Sequence, residues 1–342
     1  NEPILEYLPG SAERRDLEAK LEAQAGRVVD IPMFIGGEEV RSGDVAECVM
    51  PHEHGHVIGT YHQAGERDVQ RAIEASMQAR SQWISMPWQE RADVFLRAAD
   101  LLAGKYRQVL NAATMLSMSK VVYQAEIDAA CEMIDFFRFN AWYAQRIHEE
   151  QPLISPEGMD NRLEPRPLDG FVFAVTPFNF TSIAGNLPSS PTMMGNTSVW
   201  KPASTAVLPA YHLMRLWQEA GLPDGVINMI PGAGRQIGPQ VLRHPDLAGL
   251  YFTGSTGTFQ GMWRTVGENI SRYRSYPRLV GETGGKDFVF VHSSADVDEV
   301  VAGAIRGAFE LQGQKCSAAS RMYVPDDLWP SVRERMLEQI ST

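Results

Sequence analysis

An α/β protein built on a parallel, doubly wound sheet is predicted from three observations. From residue 168 onward, short apolar runs alternate with helical periods. The helical periods end on stop signals, as where Gly221 is followed closely by Pro223. Strand, helix and strand repeated in this way put helices on both faces of a parallel sheet. Ligands on such sheets bind outside the carboxyl ends of the strands.

Taken in order, residues 11–25 read as a charged helix and residues 31–60 as short strands interrupted at Gly36-Gly37, Ser42-Gly43 and Pro51. Helical periodicity follows from Asp68 through Val69, Ala72, Ile73 and Met77, and after the breaker Pro87 it runs over residues 89–116 with Val94, Leu101, Leu102 and Leu110. A third helix is expected over residues 120–149. Its aromatics Phe136, Phe137, Phe139, Trp142 and Tyr143 are read as core, because aromatic side chains dominate buried area. Strands are expected at 171–175, 197–200, 225–230, 249–252, 278–280 and 288–291, with a helix at 205–220. One more helix starts at the N-cap Asp296, with Glu299 three residues later. Its apolar face is Val297, Val300, Val301, Ala304, Ile305 and Ala308, and it should break near Gly313.

Composition bounds the function. With 342 residues, 44% hydrophobic and 21% charged, the chain can bury a sizeable core and has room for two domains. A net charge of -11 with scattered cations argues against a nucleic-acid partner. No apolar run approaches the roughly 18 residues of a membrane helix. Cys48, Cys131 and Cys316 are too few and too far apart for a disulfide framework or a zinc ribbon, which fits a reducing compartment. The amino terminus shows neither a secretory h-region nor a transit pattern, so the cytoplasm is expected, or the mitochondrial matrix for a eukaryotic source.

Three residues carry candidate chemistry. Cys316 stands beside Lys315 and Ser317, with Gly313 leaving space for a substrate; the lysine and nearby amides are expected to lower its pKa, although a lone cysteine is most often a buried hydrophobe, as Cys48 and Cys131 are expected to be. Glu282 lies in Gly281-Glu282-Thr283-Gly284-Gly285-Lys286, read either as a plain turn between strands or as a desolvated base. Asn179 follows Thr176-Pro177-Phe178 at a strand end, where its amide is either a turn cap or an oxyanion donor.

The dinucleotide fingerprint fails at Gly232-Ala233-Gly234-Arg235-Gln236-Ile237-Gly238, whose third glycine comes one place late. A better phosphate site is Phe252-Thr253-Gly254-Ser255-Thr256-Gly257, after a strand and before a helix N-terminus. Lys201-Pro202-Ala203-Ser204 can add a cation and a hydroxyl for a ribose. Both segments also read as ordinary strand-to-helix turns. His52, His54 and His56 alternate, but Gly55 loosens the strand and no fourth ligand is near, so no metal is expected.

In order and spacing, Pro177-Phe178-Asn179-Phe180, Lys201-Pro202-Ala203-Ser204, Phe252-Thr253-Gly254-Ser255-Thr256, Gly281-Glu282-Thr283-Gly284-Gly285-Lys286 and Gly313-Gln314-Lys315-Cys316-Ser317 resemble the aldehyde dehydrogenase superfamily. Within it, Phe136-Phe137-Arg138-Phe139-Asn140, the Phe178-Asn179-Phe180-Thr181 run, Pro277 to Glu282 and Gln314 to Ala318 look like the delta-1-pyrroline-5-carboxylate dehydrogenases, which oxidise glutamate semialdehyde to glutamate in proline breakdown. The resemblance covers essentially the whole chain. It implies an aldehyde dehydrogenase fold: residues 1–281 as a dinucleotide-binding domain with part of an oligomerisation arm, and residues 282–342 as the first part of a catalytic domain.

By the same resemblance Cys316 is the nucleophile, Glu282 the base that activates water, and Asn179 an oxyanion donor. Thr176, Lys201, Ser204, Gly254, Ser255, Thr256, Gly257 and Thr258 contact the dinucleotide, expected to be NAD rather than NADP. Phe180, Ser317 and Lys315 contact a small-molecule substrate, and the full-length protein is a homo-oligomer. The alternatives are another aldehyde dehydrogenase, CoA-acylating ones included, or a non-catalytic dinucleotide-binding member. Three departures stand out: Ser204 where many relatives carry Glu, Phe259 where Gly is frequent, and an end at Thr342 inside the expected catalytic domain, so that this piece alone is expected to have little activity.

Overall fold

The computed structural model describes residues 1–341, which form two compact units, Asn1–Gly281 and a second from Glu282 onward. The first unit opens with α1 (Ala12–Ala25), whose N-cap Ser11 accepts from the amide of Arg14. Five short strands follow: β1 (Val29–Ile31), β2 (Met33–Ile35), β3 (Glu38–Val40), β4 (Val45–Met50) and β5 (Glu53–His62). β1, β5 and β4 make a small sheet of their own, whereas β2 and β3 join the main sheet. The β2–β3 turn passes through Gly36 and Gly37, both at positive φ, and the Gly36 amide donates to Asn228 Oδ1 at 2.8 Å.

Next come α2 (Glu66–Ser85), α3 (Trp88–Ala103) and α4 (Arg107–Met118). The helical run expected over residues 89–116 is therefore two helices, because Gly104 leaves helical geometry at φ -109° and ψ -101°. The third predicted helix is also divided, into α5 (Val122–Ala125), a π-helical turn at Glu126–Glu132, and α6 (Met133–Glu149). Its aromatics are mostly not core. α6 buries Met133, Ile134, Phe137, Ala141 and Ala144, and the 3.6-residue period turns Phe139, Trp142 and Tyr143 outward.

The main sheet is built by β6 (Phe171–Val175), α7 (Thr181–Met193), β7 (Thr197–Lys201), α8 (Val207–Glu219), β8 (Ile227–Met229), α9 (Gly234–Leu242), β9 (Leu247–Thr253), α10 (Thr256–Glu268) and β10 (Arg278–Glu282). Strand order is β10-β9-β6-β7-β8-β2-β3. β6 pairs in parallel with β7 and with β9, and β7 with β8, while β2 runs antiparallel to β8 and to β3. All five residues of β6 and of β7 are buried, as strands covered on both faces should be. From β6 the chain first adds strands to one side, then returns with β9 and β10 to the other. Strand order thus reverses between β6 and β9, which is where open α/β sheets place a ligand crevice.

In the second unit β11 (Asp287–Phe290) pairs in parallel with β12 (Ala319–Tyr323), joined through α11 (Val297–Phe309), and α12 (Trp329–Ser341) follows. Asp296 caps α11, accepting from the amides of Asp298 at 2.9 Å and Glu299 at 3.1 Å. Of the predicted apolar face, Val301 and Ala304 are fully buried and Val297, Val300, Ile305 and Ala308 partly. The break after α11 starts at Leu311 and Gln312, at φ 53° and 55°, before Gly313 is reached.

Candidate active site

In the second unit, Cys316 sits in a turn at the entrance of β12, closed by the amide of Ala318 donating to the Lys315 carbonyl at 3.2 Å. A Cβ on Gly285 would stand 1.7 Å from the Cys316 carbonyl oxygen. The glycines between β10 and β11 are thus not all interchangeable: position 285 must be Gly for the two backbones to touch. Glu282, the last residue of β10, lies close enough to the Cys316 thiol to act on it. Burial, and then this carboxylate, push the thiol above its ordinary pKa.

Two expectations are corrected here. The Cys316 pKa is raised overall rather than lowered: the amides of Ser317 and Cys316 pull it down as expected but are outweighed, and the Lys315 ammonium is paired with Glu310 at 2.8 Å. Glu282 is exposed rather than desolvated between strands. What the pair offers is a carboxylate near the thiol. Ser317, the next residue, is exposed. Cys48 and Cys131 are buried in the first unit, each pushed up to about 12 mainly by burial, and are inert by that measure.

In the first unit the predicted cofactor residues gather around the reversal in strand order. Thr176 follows β6 directly, accepts from Trp200 Nε1 at 3.0 Å and donates its amide to the Lys201 carbonyl. Lys201 ends β7. It is buried, its ammonium faces the carbonyls of Pro202 at 2.7 Å and Gly232 at 3.4 Å, and burial lowers its pKa to about 8. After β9 the turn reaches Ser255, which caps α10 by accepting from the Thr258 amide at 3.3 Å. Residues Ser255 to Thr258 are exposed, so the positive end of the α10 dipole faces outward. Gly254 lies on the Phe252 ring, where a Cβ would come to 2.7 Å.

Between α9 and α10 lies a cleft of about 510 Å³, lined among others by Val175, Lys201, Pro239, Leu242, Thr258 and Met262. Pro239, Leu242 and Met262 were not among the sequence candidates. The available signal was the spacing Thr258, Met262, Thr265 along one face of α10. Ser204 lies in the loop after β7, near the Tyr61 hydroxyl. Phe259 stacks on Phe252 at 5.6 Å, and its ring fills the space where a Cβ on Gly281 would stand, at 2.2 Å. His52 pairs with Ser119 and His56 with the Ala25 carbonyl; among the described residues no cluster of three or more His, Cys, Asp or Glu is placed to hold a metal.

Asn179 lies between β6 and α7, partly exposed, and Phe180 is the N-cap residue of α7. Two further residues absent from the sequence candidates surround this turn. Asp128 accepts from the amides of Thr181 and Ser182, and Lys120 pairs with Asp128 while its ammonium lies 4.0 Å from the Phe180 ring centroid.

Residues 39–342 match the sequence model of the aldehyde dehydrogenase family. The chain belongs to the aldehyde dehydrogenase family. Over its whole length it is 47% identical to the mitochondrial delta-1-pyrroline-5-carboxylate dehydrogenase of Dictyostelium discoideum, of which it covers 62%. The human mitochondrial enzyme of the same name is 47% identical over 341 residues, with 60% of it covered. Among solved structures, the delta-pyrroline-5-carboxylate dehydrogenase of Mycobacterium tuberculosis bound with NAD superimposes with a TM-score of 0.97 at 53% identity, covering 99% of this chain and 63% of that one. The chain therefore spans about three fifths of the length of these relatives.

Proposed function

We propose that this family member oxidises L-glutamate γ-semialdehyde, in equilibrium with delta-1-pyrroline-5-carboxylate, to L-glutamate in proline degradation, with NAD rather than NADP as hydride acceptor. The observation that carries the chemistry is the nearness of the Glu282 carboxylate to the Cys316 thiol in one unit, close enough to raise the thiol's pKa. The observation that supports the substrate is identity of about half to enzymes named for it.

In this reading the first unit is the dinucleotide-binding domain and the second is the start of the catalytic domain. The cleft fits the cofactor on its own features: an apolar slot, a buried ammonium at Lys201 that faces the carbonyls of Pro202 and Gly232, and an outward-facing helix N-terminus at Ser255. Lys201, Ser204 and Thr176 would meet its ribose and neighbouring parts, and Gly254, Ser255, Thr256, Gly257 and Thr258 its phosphates. Bound NAD supplies the acceptor for the hydride that leaves the substrate carbon.

The chain's own residues do the rest. Cys316 gives its proton to solvent by way of the nearby Glu282 carboxylate and attacks the aldehyde carbon, giving a thiohemiacetal whose oxyanion is held by the Asn179 amide and the Cys316 backbone N–H. Loss of hydride leaves a thioester. Glu282 takes a proton from water, the resulting hydroxide attacks the thioester carbonyl, and the Cys316 thiolate departs as glutamate forms. Phe180 flanks the aliphatic chain, and Ser317 with Lys315 serves its carboxylate. The roles of Asn179, Phe180, Ser317 and Lys315 rest on the motif resemblance.

A homo-oligomer in a soluble compartment completes the reading: the cytoplasm, or the mitochondrial matrix as in the eukaryotic relatives named mitochondrial. Among the described residues no helix is long and apolar enough to cross a membrane. The deciding experiment is a steady-state assay of the full-length protein with glutamate semialdehyde and with short aliphatic aldehydes, alongside Cys316→Ala. We expect a kcat/KM preference for the semialdehyde and loss of turnover in the variant. Better turnover of short aldehydes would remove the substrate assignment, and an active alanine variant the mechanism.

A further inference from the structure

We propose that the buried Lys120–Asp128 ion pair is a positioning device that fixes the turn carrying Asn179 and Phe180; the proposal rests on the oxyanion role given to Asn179 above. The need for it is local. α7 starts at Thr181, and its N-cap residue Phe180 has no side chain able to accept the first helical amides. Asp128 supplies that acceptor from a different element. One of its oxygens takes the Ser182 amide at 2.9 Å and shares the Ser182 hydroxyl, at 2.8 Å, with Glu132 Oε2 at 2.6 Å; the other takes the Thr181 amide at 3.0 Å and Lys120 Nζ at 2.6 Å.

Both members of the pair are buried, Asp128 at 1% exposure and Lys120 at 4%. A buried carboxylate at a helix N-terminus is favoured by the dipole and by charge-assisted hydrogen bonds, but it needs a counter-ion. Lys120 provides one, and the same ammonium covers the Phe180 ring at 4.0 Å. Thr114 adds a hydroxyl contact to Thr181 Oγ1 at 2.6 Å. Residues 180, 181 and 182 are therefore held at a ring face, at two amides and at two hydroxyls, and Asn179 is the residue that immediately precedes them.

Asp128 lies in the π-helical turn at Glu126–Glu132. Two acids two positions apart in a helical turn face opposite ways, and here they serve different networks. Glu126 receives Arg107 and the Tyr7 hydroxyl, the latter at 2.6 Å, while Asp128 turns to α7. Single π turns inside helices occur frequently at functional sites. Replacing a buried ion pair with apolar groups is often neutral for stability, so stability alone is a weak reason for this one; the backbone amides beside Asn179 supply a functional reason.

The test is a set of variants of the full-length enzyme, with kcat, KM for glutamate semialdehyde, NAD dissociation constant and melting temperature measured for each. Asp128→Asn and Lys120→Met should lower kcat by about tenfold to a hundredfold, approaching the loss expected for one misplaced oxyanion donor. NAD affinity should stay within about twofold, because the dinucleotide cleft uses other residues. In an Asn179→Ala background, Asp128→Asn should slow turnover no further, since a residue that acts through Asn179 has nothing left to position. Ser182→Ala, a milder change that removes one of the four donors to Asp128, should show a smaller kcat loss that also vanishes in the Asn179→Ala background. Losses of equal size with and without Asn179, or a lowered melting temperature at full kcat, would overturn the positioning role. Unchanged kcat in Asn179→Ala alone would instead overturn the oxyanion role on which it rests.

Discussion

At the residue scale, the reactivity of Cys316 is set by the company of Glu282. A carboxylate beside a thiol disfavours the thiolate, so Glu282 adds to burial in raising the Cys316 pKa. The direction of the shift gives a pH prediction. Removing the charge with Glu282→Gln leaves burial as the remaining upward influence, so the pH profile for iodoacetamide inactivation of Cys316 should move to lower pH, with faster alkylation near pH 8. An unmoved profile would mean that the carboxylate does not act on the thiol in solution. The motifs made Cys316 and Glu282 legible from residue types alone. Lys315 was misread because its partner depends on backbone geometry: Leu311 and Gln312 lie in the left-handed region just before Lys315, which meets Glu310, and neither residue type is marked for that conformation by propensity.

At the element scale, the approach of the β10–β11 connection to the Cys316 turn depends on one glycine and not its neighbour. A Cβ at position 285 would overlap the Cys316 carbonyl, whereas one at position 284 meets nothing within 4 Å. Gly285→Ala should therefore abolish turnover or soluble expression, while Gly284→Ala retains kcat within a fewfold. Equal behaviour of the two, in expression and in turnover, would deny the close contact. Strands were read well at this scale because apolar runs of β6, β7 and β9 have no competing helical period. Helix interruptions were not. Gly104 can be tolerated inside a helix or can end one, and the π turn at Glu126–Glu132 lies in residues that an α-helix would also accept.

At the scale of the molecule, the doubly wound sheet followed from alternation of elements, but its order, with reversal between β6 and β9, depends on long-range pairing that periodicity does not encode. The aromatic stripe of α6 shows the same limit from the other side. Its composition reads as core, yet the sheet and neighbouring helices cover only the face that includes Phe137. Trp142 and Tyr143 remain 52% and 57% exposed, with Phe139 and Ile147 one turn away on the same side and Leu153 and Ile154 exposed just beyond the helix. Grouped exposed apolar residues of this kind mark association surfaces. For the homo-oligomer proposed above, this face is the one to test with a second copy of the chain. Replacing Trp142 and Tyr143 together by Glu puts two charges where apolar area would be buried, at a cost of about 1.5–3 kcal/mol of lost burial for each large side chain before repulsion is counted. Light scattering should then report a lower mass for the variant than for the unmodified protein at the same concentration, with the melting temperature of the monomeric fold little changed because neither ring belongs to the core. An unchanged mass would take this face out of the assembly and leave its aromatics without a role in association.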